Sequence, residues 1–266
     1  MSERWTVRGA EIACNATSVP DGTVITWAHP GNGSRAQDNA VSPLRAQAFA
    51  GCELIRYDAR GHGESEVTTG PDDYHWDALA RDQLVLTQSL GVDRYVAAGA
   101  SLGAVTGLWA AVQAEDRIDA LVLVQLPTAW EQRDGLNAMY LELADLVEDE
   151  GPEALLARTD GRRVPDPLLE RPDIVALMRE FVVADDPARL GAVLRGTAGA
   201  NYPSRDRLIS IDVPTLVLAW TGDTVHPVEA AEEVASLIPN AQLGVASTWA
   251  EVEAWTPQIA EFIASL

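Results

Sequence analysis

Hydrophobic and polar positions along the chain follow two rhythms. Short apolar runs ended by turn residues, Val24–Ala28, Glu53–Tyr57, Tyr95–Ala98, Ala120–Leu126, Thr215–Trp220 and a last one near Ala241–Ala246, have the pattern of strands buried on both faces. Between many of them lie segments of helical spacing. Asp77–Leu90 sets Leu79, Leu84 and Leu86 among polar residues, Leu102–Gln113 is small and apolar, and Val228–Leu237 and Pro257–Leu266 follow the last two runs. Alternating strand and helix predicts an α/β fold, a parallel sheet wrapped by helices, and Trp5–Ala16 predicts an antiparallel edge hairpin.

The strand rhythm stops between about Thr128 and Ser210. That stretch reads as acidic helices, such as Leu136–Glu150 and Ile174–Val183, punctuated by Gly, Pro and Arg clusters as in Asp160–Pro167. The expected organisation is a core of residues 1–127 and 211–266, with a helical lid over residues 128–210 covering the strand ends. Neither an internal repeat nor a low-complexity tract interrupts it.

Composition narrows the function. With 266 residues, 47% of them hydrophobic, the chain can bury a substantial core. Its 40 acidic residues against 19 basic ones give a net charge of -21, which argues against binding nucleic acid or an anionic membrane through a basic patch. Every basic residue is arginine. Cys14 and Cys52 lack paired spacing, so two reduced thiols are expected rather than a disulfide or a thiolate metal site. The first residues do not form an export signal, and no stretch approaches eighteen uncharged apolar residues, so a cytoplasmic protein without a membrane anchor is expected.

The most informative short stretch is Gly99-Ala100-Ser101-Leu102-Gly103, between a strand and a small-residue helix. That context suits a nucleophile elbow: flanking glycines permit a strained turn that lifts the serine hydroxyl above the sheet, and the N–H of Leu102 can face an oxyanion. His29-Pro30-Gly31-Asn32-Gly33 follows an earlier strand, where Gly31 or Asn32 could supply a second N–H donor. Arg60-Gly61-His62-Gly63-Glu64-Ser65 follows the strand that ends at Tyr57-Asp58.

With HPGNG, YDARGHGES and GASLG in this order, the chain resembles the α/β-hydrolase superfamily from about residue 22 to its end. The resemblance implies an eight-stranded, mostly parallel sheet with a lid between strands six and seven. It also implies a catalytic acid after strand seven, which in TLVLAWTGDTVHP is Asp223; helix capping is the structural alternative for that residue. The C-terminus departs from the family. Its histidine would follow the last strand, but AQLGVASTWAEVEAWTP contains none, and Thr248 stands in that place. TAWEQR with AWTGDTVHP is similar to a group of actinobacterial homologues that lack this histidine.

An unassisted serine is a weak nucleophile, so the missing imidazole requires another base, another reaction or no reaction. His226, three residues after Asp223 on the same loop, is the candidate base, with helix-start packing as its alternative. His29 and His62 are expected to buttress loops, and His75 to lie in a polar surface loop. After strand six, Trp130 is a candidate pocket wall, and Glu131 with Arg133 are candidate proton-donor or anion contacts, weighed against a solvated helix start. Trp220 is placed near the same apolar pocket.

Three functions follow. The first is a hydrolase with a rearranged triad acting on an ester, lactone or related acyl compound. The second is a lyase, cyclase or carbon–carbon bond-forming tailoring enzyme of secondary metabolism, and the third a small-molecule-binding protein without catalysis. No metal or organic cofactor is expected, since HExxH, GxGxxG after the first strand and a Walker lysine are all missing. A homodimer through exposed apolar lid faces is compatible with the sequence.

Overall fold

A computed structural model describes residues 3–16, 22–31, 33–42, 49–68, 70–159, 161 and 163–266. The strands are β1 (Glu3–Val7), β2 (Ala10–Ala16), β3 (Val24–Ala28), β4 (Glu53–Tyr57), β5 (Tyr95–Ala100), β6 (Ile118–Val124), β7 (Thr215–Trp220) and β8 (Ala241–Ala246). They form one sheet in the order β1-β2-β4-β3-β5-β6-β7-β8. β3 to β8 run parallel, while β1 and β2 make the antiparallel hairpin expected at the edge.

The helices are α1 (Arg35–Val41), α2 (Trp76–Ser89), α3 (Leu102–Gln113), α4 (Trp130–Asp134), α5 (Asn137–Glu150), α6 (Pro152–Thr159), α7 (Pro172–Val183), α8 (Pro187–Gly199), α9 (Arg205–Ile209), α10 (Val228–Leu237), α11 (Trp249–Glu253) and α12 (Trp255–Ala264). Several boundaries differ from the sequence expectation by one or two residues, and two of them have a plain local cause. β6 ends at Val124 because Gln125 takes a positive φ of 55° and turns the chain out of the strand. α12 begins at Trp255 because Pro257 falls in its first turn, where a missing N–H leaves no helical hydrogen bond unmade.

Alternation along the central strands sorts the core into two layers. In β6, Leu121 and Leu123 pack with Leu79, Leu86 and Leu108 of α2 and α3, whereas Val122 and Val124 join Trp255, Ile259 and Phe262 of α12 on the other face. The helices between β6 and β7 hold a smaller cluster of their own, Leu143, Val147, Leu155, Leu190 and Leu194. Arg133 ties them to the sheet side: it is buried, donates to the Thr197 carbonyl and stacks over the Trp76 ring at 3.9 Å.

Candidate functional site

The strand ends converge on Ser101, and sterics explain why glycine stands on either side of it. A Cβ on Gly103 would lie 2.1 Å from the Ala28 carbonyl oxygen of β3, and one on Gly99 would lie 2.7 Å from it. Neither glycine has a positive φ, so close approach of helix to strand is what demands them. The strain sits on the serine. Ser101 has φ 53° and ψ -112°, and its N–H is held by the Val124 carbonyl at 2.9 Å.

A chain of hydrogen bonds starts at that hydroxyl. Ser101 Oγ lies 2.8 Å from His226 Nε2, and His226 Nδ1 lies 2.9 Å from Asp223 Oδ2. Acid and imidazole therefore come from a single loop after β7. Asp223 Oδ1 accepts the backbone N–H groups of Val225 at 2.8 Å and His226 at 3.0 Å, which curls the loop so that the ring reaches across to β5. Trp220 Nε1 donates to Oδ2 at 2.8 Å. Burial alone would raise the Asp223 carboxyl, but the hydrogen bonds and charge of His226 and the Trp220 indole outweigh it and hold it well below the usual carboxylate range.

Beside the serine, where the sequence expectation put the oxyanion donors, the start of α3 meets the loop after β3. Leu102 opens α3, and a Cβ on Gly31 would lie 3.5 Å from the Leu102 Cβ. His62 Nε2 is 2.8 Å from the Gly31 carbonyl oxygen and His62 Nδ1 is 2.9 Å from that of Arg60, so this buried ring braces the Gly31 loop. His29 accepts the Ala59 N–H on Nε2, which leaves Nδ1–H to donate to the Pro30 carbonyl at 2.7 Å. Burial, with the nearby His62, pushes the His29 imidazole down to about 3. Asn32 lies outside the described residues.

Several expected residues take other places. Trp130 is buried against Tyr202, its indole N–H donating to the Pro203 carbonyl at 2.9 Å. Glu131 is exposed and accepts both Nη groups of Arg205 at 2.9 Å, hydrogen bonds that lower its carboxyl to about 2. The structure thus does not bring Trp130, Glu131 or Arg133 to the serine. His75 lies 3.7 Å from the Asp72 carboxylate, away from the hydrogen-bonded chain. Thr248 caps α11: its hydroxyl accepts the Glu251 N–H while Glu251 accepts the Thr248 N–H at 3.0 Å, a complete capping box.

A small cavity of about 70 Å³ opens among the ends of β3, β5, β6 and β7, lined by Pro30, Ala100, Gln125 and Trp220 together with Trp27, Asp38, Trp249 and Trp255. Ile174 and Met178 of α7 close it from the helical side. The sequence placed Trp220 here. The other indoles and Asp38 gave no local signal, because they arrive from elements far apart in the chain. Among the described residues no group of three or more His, Cys, Asp or Glu side chains is placed to hold a metal, and no helix is long and apolar enough to cross a membrane.

Known proteins share this architecture. The 3-oxoadipate enol-lactonase 1 of Acinetobacter baylyi is 29% identical over 192 residues, 72% of this chain and 68% of that protein. An enol-lactonase structure from Burkholderia xenovorans superposes with a TM-score of 0.83 at 23% identity, covering 98% of this chain and all 100% of the other, a likeness of fold. A hydrolase structure from Pseudomonas aeruginosa gives a TM-score of 0.82 at 27% identity, with 98% of each chain covered. The family model described as alpha/beta hydrolase fold matches residues 29–252. With that match across most of its length and an eight-stranded sheet of the corresponding form, the chain belongs to the α/β-hydrolase fold family.

Proposed function

We propose that the protein hydrolyses an ester, lactone or related acyl compound, with Ser101 as nucleophile, His226 as general base and Asp223 as the acid that orients it. The observation that carries this reading is the unbroken contact from Asp223 through His226 to Ser101 Oγ, 2.9 Å and 2.8 Å. Asp223 fixes the tautomer with the proton on Nδ1, so Nε2 is free to take the serine proton. Ser101 Oγ then bonds to the acyl carbon, and the N–H groups of Leu102 and the Gly31–Asn32 loop receive the negative charge that develops on its oxygen. The imidazolium passes its proton to the leaving group as the acyl bond breaks. Water, deprotonated by the same ring, releases the acid and restores the serine.

The enol-lactonase relative supports a lactone or ester as substrate class. The motive for non-hydrolytic chemistry was the lack of a histidine after the last strand, and it weakens once His226 stands within hydrogen-bond distance of the serine. Residues 128–210 serve in this reading as the lid, supported by Ile174 and Met178 closing the cavity.

Intact-protein mass after exposure to a fluorophosphonate tests the reading. The wild type is expected to gain one adduct, Ser101→Ala none, and His226→Ala to label far more slowly while losing ester turnover by on the order of 10⁴-fold or more. An unlabelled wild type, or ester turnover that survives Ser101→Ala, would overturn it.

A further inference from the structure

The imidazole that meets Ser101 hangs from an irregular stretch, residues 221–227 between β7 and α10, where neither helix nor strand fixes the backbone. Two peptide planes of that stretch are gripped from outside it. The Val225 carbonyl, which shares a plane with the His226 N–H, accepts the Thr128 N–H at 3.0 Å and the Thr128 hydroxyl at 3.3 Å. That His226 N–H donates to Asp223 Oδ1 at 3.0 Å, so the plane that carries the ring is held through both its C=O and its N–H. On the other side of the acid, Thr221 and Asp166 form a reciprocal pair. The Thr221 carbonyl accepts the Asp166 N–H at 3.0 Å, and the Thr221 hydroxyl donates to Asp166 Oδ2 at 2.7 Å. Gly222, at φ 79°, lies under the same carboxylate, where a Cβ would run into it.

We propose that Thr128 and Asp166, both from the segment between β6 and β7, are positioning residues for the general base: by clasping Val225 and Thr221 they hold the Asp223–His226 loop in the curl that puts Nε2 on the Ser101 hydroxyl. The inference rests on Ser101 and His226 acting as nucleophile and base. Acid and imidazole share one loop here, so a shift of that loop moves both together relative to the serine. A displacement of about 1 Å can cost on the order of 10²-fold in rate. Hydrogen bonds from Thr221 and Arg163 lower the Asp166 carboxyl, so it remains an ionised acceptor at neutral pH. The segment between β6 and β7 thereby belongs to the scaffold of the chemistry and is more than a cover over the strand ends. Asp166 also opens the turn that brings Leu168 to the cavity wall, so a merely structural role would appear in KM or in Tm.

Two disruptive variants, Asp166→Ala and Thr128→Val, are compared with Asp166→Asn and Thr128→Ser, which keep an acceptor and a hydroxyl. Turnover of p-nitrophenyl acetate and the rate of fluorophosphonate labelling are measured well below the Tm of each protein. In each disruptive variant kcat and labelling should fall together by about tenfold while KM stays within about twofold, and each conservative variant should recover most of the loss. Labelling at the wild-type rate in either disruptive variant would overturn the proposal. So would a change confined to KM, or an equal loss in the disruptive and conservative variants of one residue. Should Asp166→Ala fail to fold, Thr221→Val, which removes only the hydroxyl on Asp166, carries the same expectation.

The His226 ring itself separates failure here from failure of the serine mechanism. Nitrogen-15 shifts of the four histidine rings, read through their carbon-bound protons at a pH where His226 is neutral, distinguish a protonated Nδ1 from a bare Nε2. His226→Gln identifies which set belongs to His226. In the wild type His226 should carry its proton on Nδ1, facing Asp223, and in Asp166→Ala and Thr128→Val its two shifts should converge as the ring leaves the carboxylate. Where the wild type turns over no ester and Ser101 does not label, that convergence still upholds the clasp. His226 shifts at wild-type values in either variant reject it even if Ser101 labels.

Discussion

Asp223 accepts four hydrogen bonds on its two oxygens, from the Trp220 indole, the His226 ring and the N–H groups of Val225 and His226. So many donors fix the carboxylate and, through it, the imidazole that meets Ser101. His29 presents the opposite electrostatics. It is buried and neutral, and its imidazole is pushed down to about 3 by burial, whereas an unfolded histidine titrates near ~6.5. Between those values the unfolded chain binds a proton that the folded one does not. Stability therefore falls as pH drops through this window, by about 1.4 kcal/mol per unit where the difference is one full proton. Replacing the ring with a neutral amide, His29→Gln, should flatten the slope of unfolding free energy between about pH 6 and 4, measured by urea denaturation. A slope unchanged in the variant would assign the acid sensitivity to other groups.

At the scale of elements, α11 shows what replaced the expected histidine. Thr248 sits at the N-cap, with its hydroxyl on the Glu251 N–H and the Glu251 carboxylate on the N–H groups of Ser247 and Thr248, at 2.6 Å and 3.0 Å. Backbone N–H groups of Ser247 and Thr248, with the Ser247 hydroxyl, hold the Glu251 carboxyl below its usual range. Thr248→Ala should thus lower stability by about 1 kcal/mol and leave kcat unchanged, read from thermal unfolding and ester turnover. A loss of turnover comparable to that of His226→Ala would mean that this helix start contributes to the chemistry after all. The elbow makes the same point about elements: Gly99 and Gly103 are required by the carbonyl of β3 passing against α3, a requirement no local propensity encodes.

Across the whole molecule the net charge of -21 is spread over a fold of 266 residues. Self-repulsion of that size is screened within about 10 Å at 0.1 M salt. Raising sodium chloride from roughly 10 mM to 150 mM should therefore raise Tm in scanning calorimetry. A Tm that falls instead would show that surface pairs such as Arg205–Glu131 and Arg195–Glu148 outweigh the net repulsion.

Periodicity alone determined the alternation of buried strands and amphipathic helices, and with it the sheet, because side-chain burial repeats every second residue in strands and every third or fourth in helices. It marked Val24–Ala28, Glu53–Tyr57 and Thr215–Trp220 at their observed limits. The elbow singled out Ser101 as a local pattern, the family resemblance implied Asp223 as the acid after strand seven, and spacing from that acid singled out His226. What only the tertiary structure decided is distance. Whether His226 reaches a serine 125 residues away depends on how β5 and β7 lie to either side of β6, and on the curl that Asp223 imposes on its own loop. The pocket follows the same logic. Trp27, Asp38, Trp249 and Trp255 come from β3, α1, α11 and α12, and no pattern within any one of those segments records that the chain brings them to one wall.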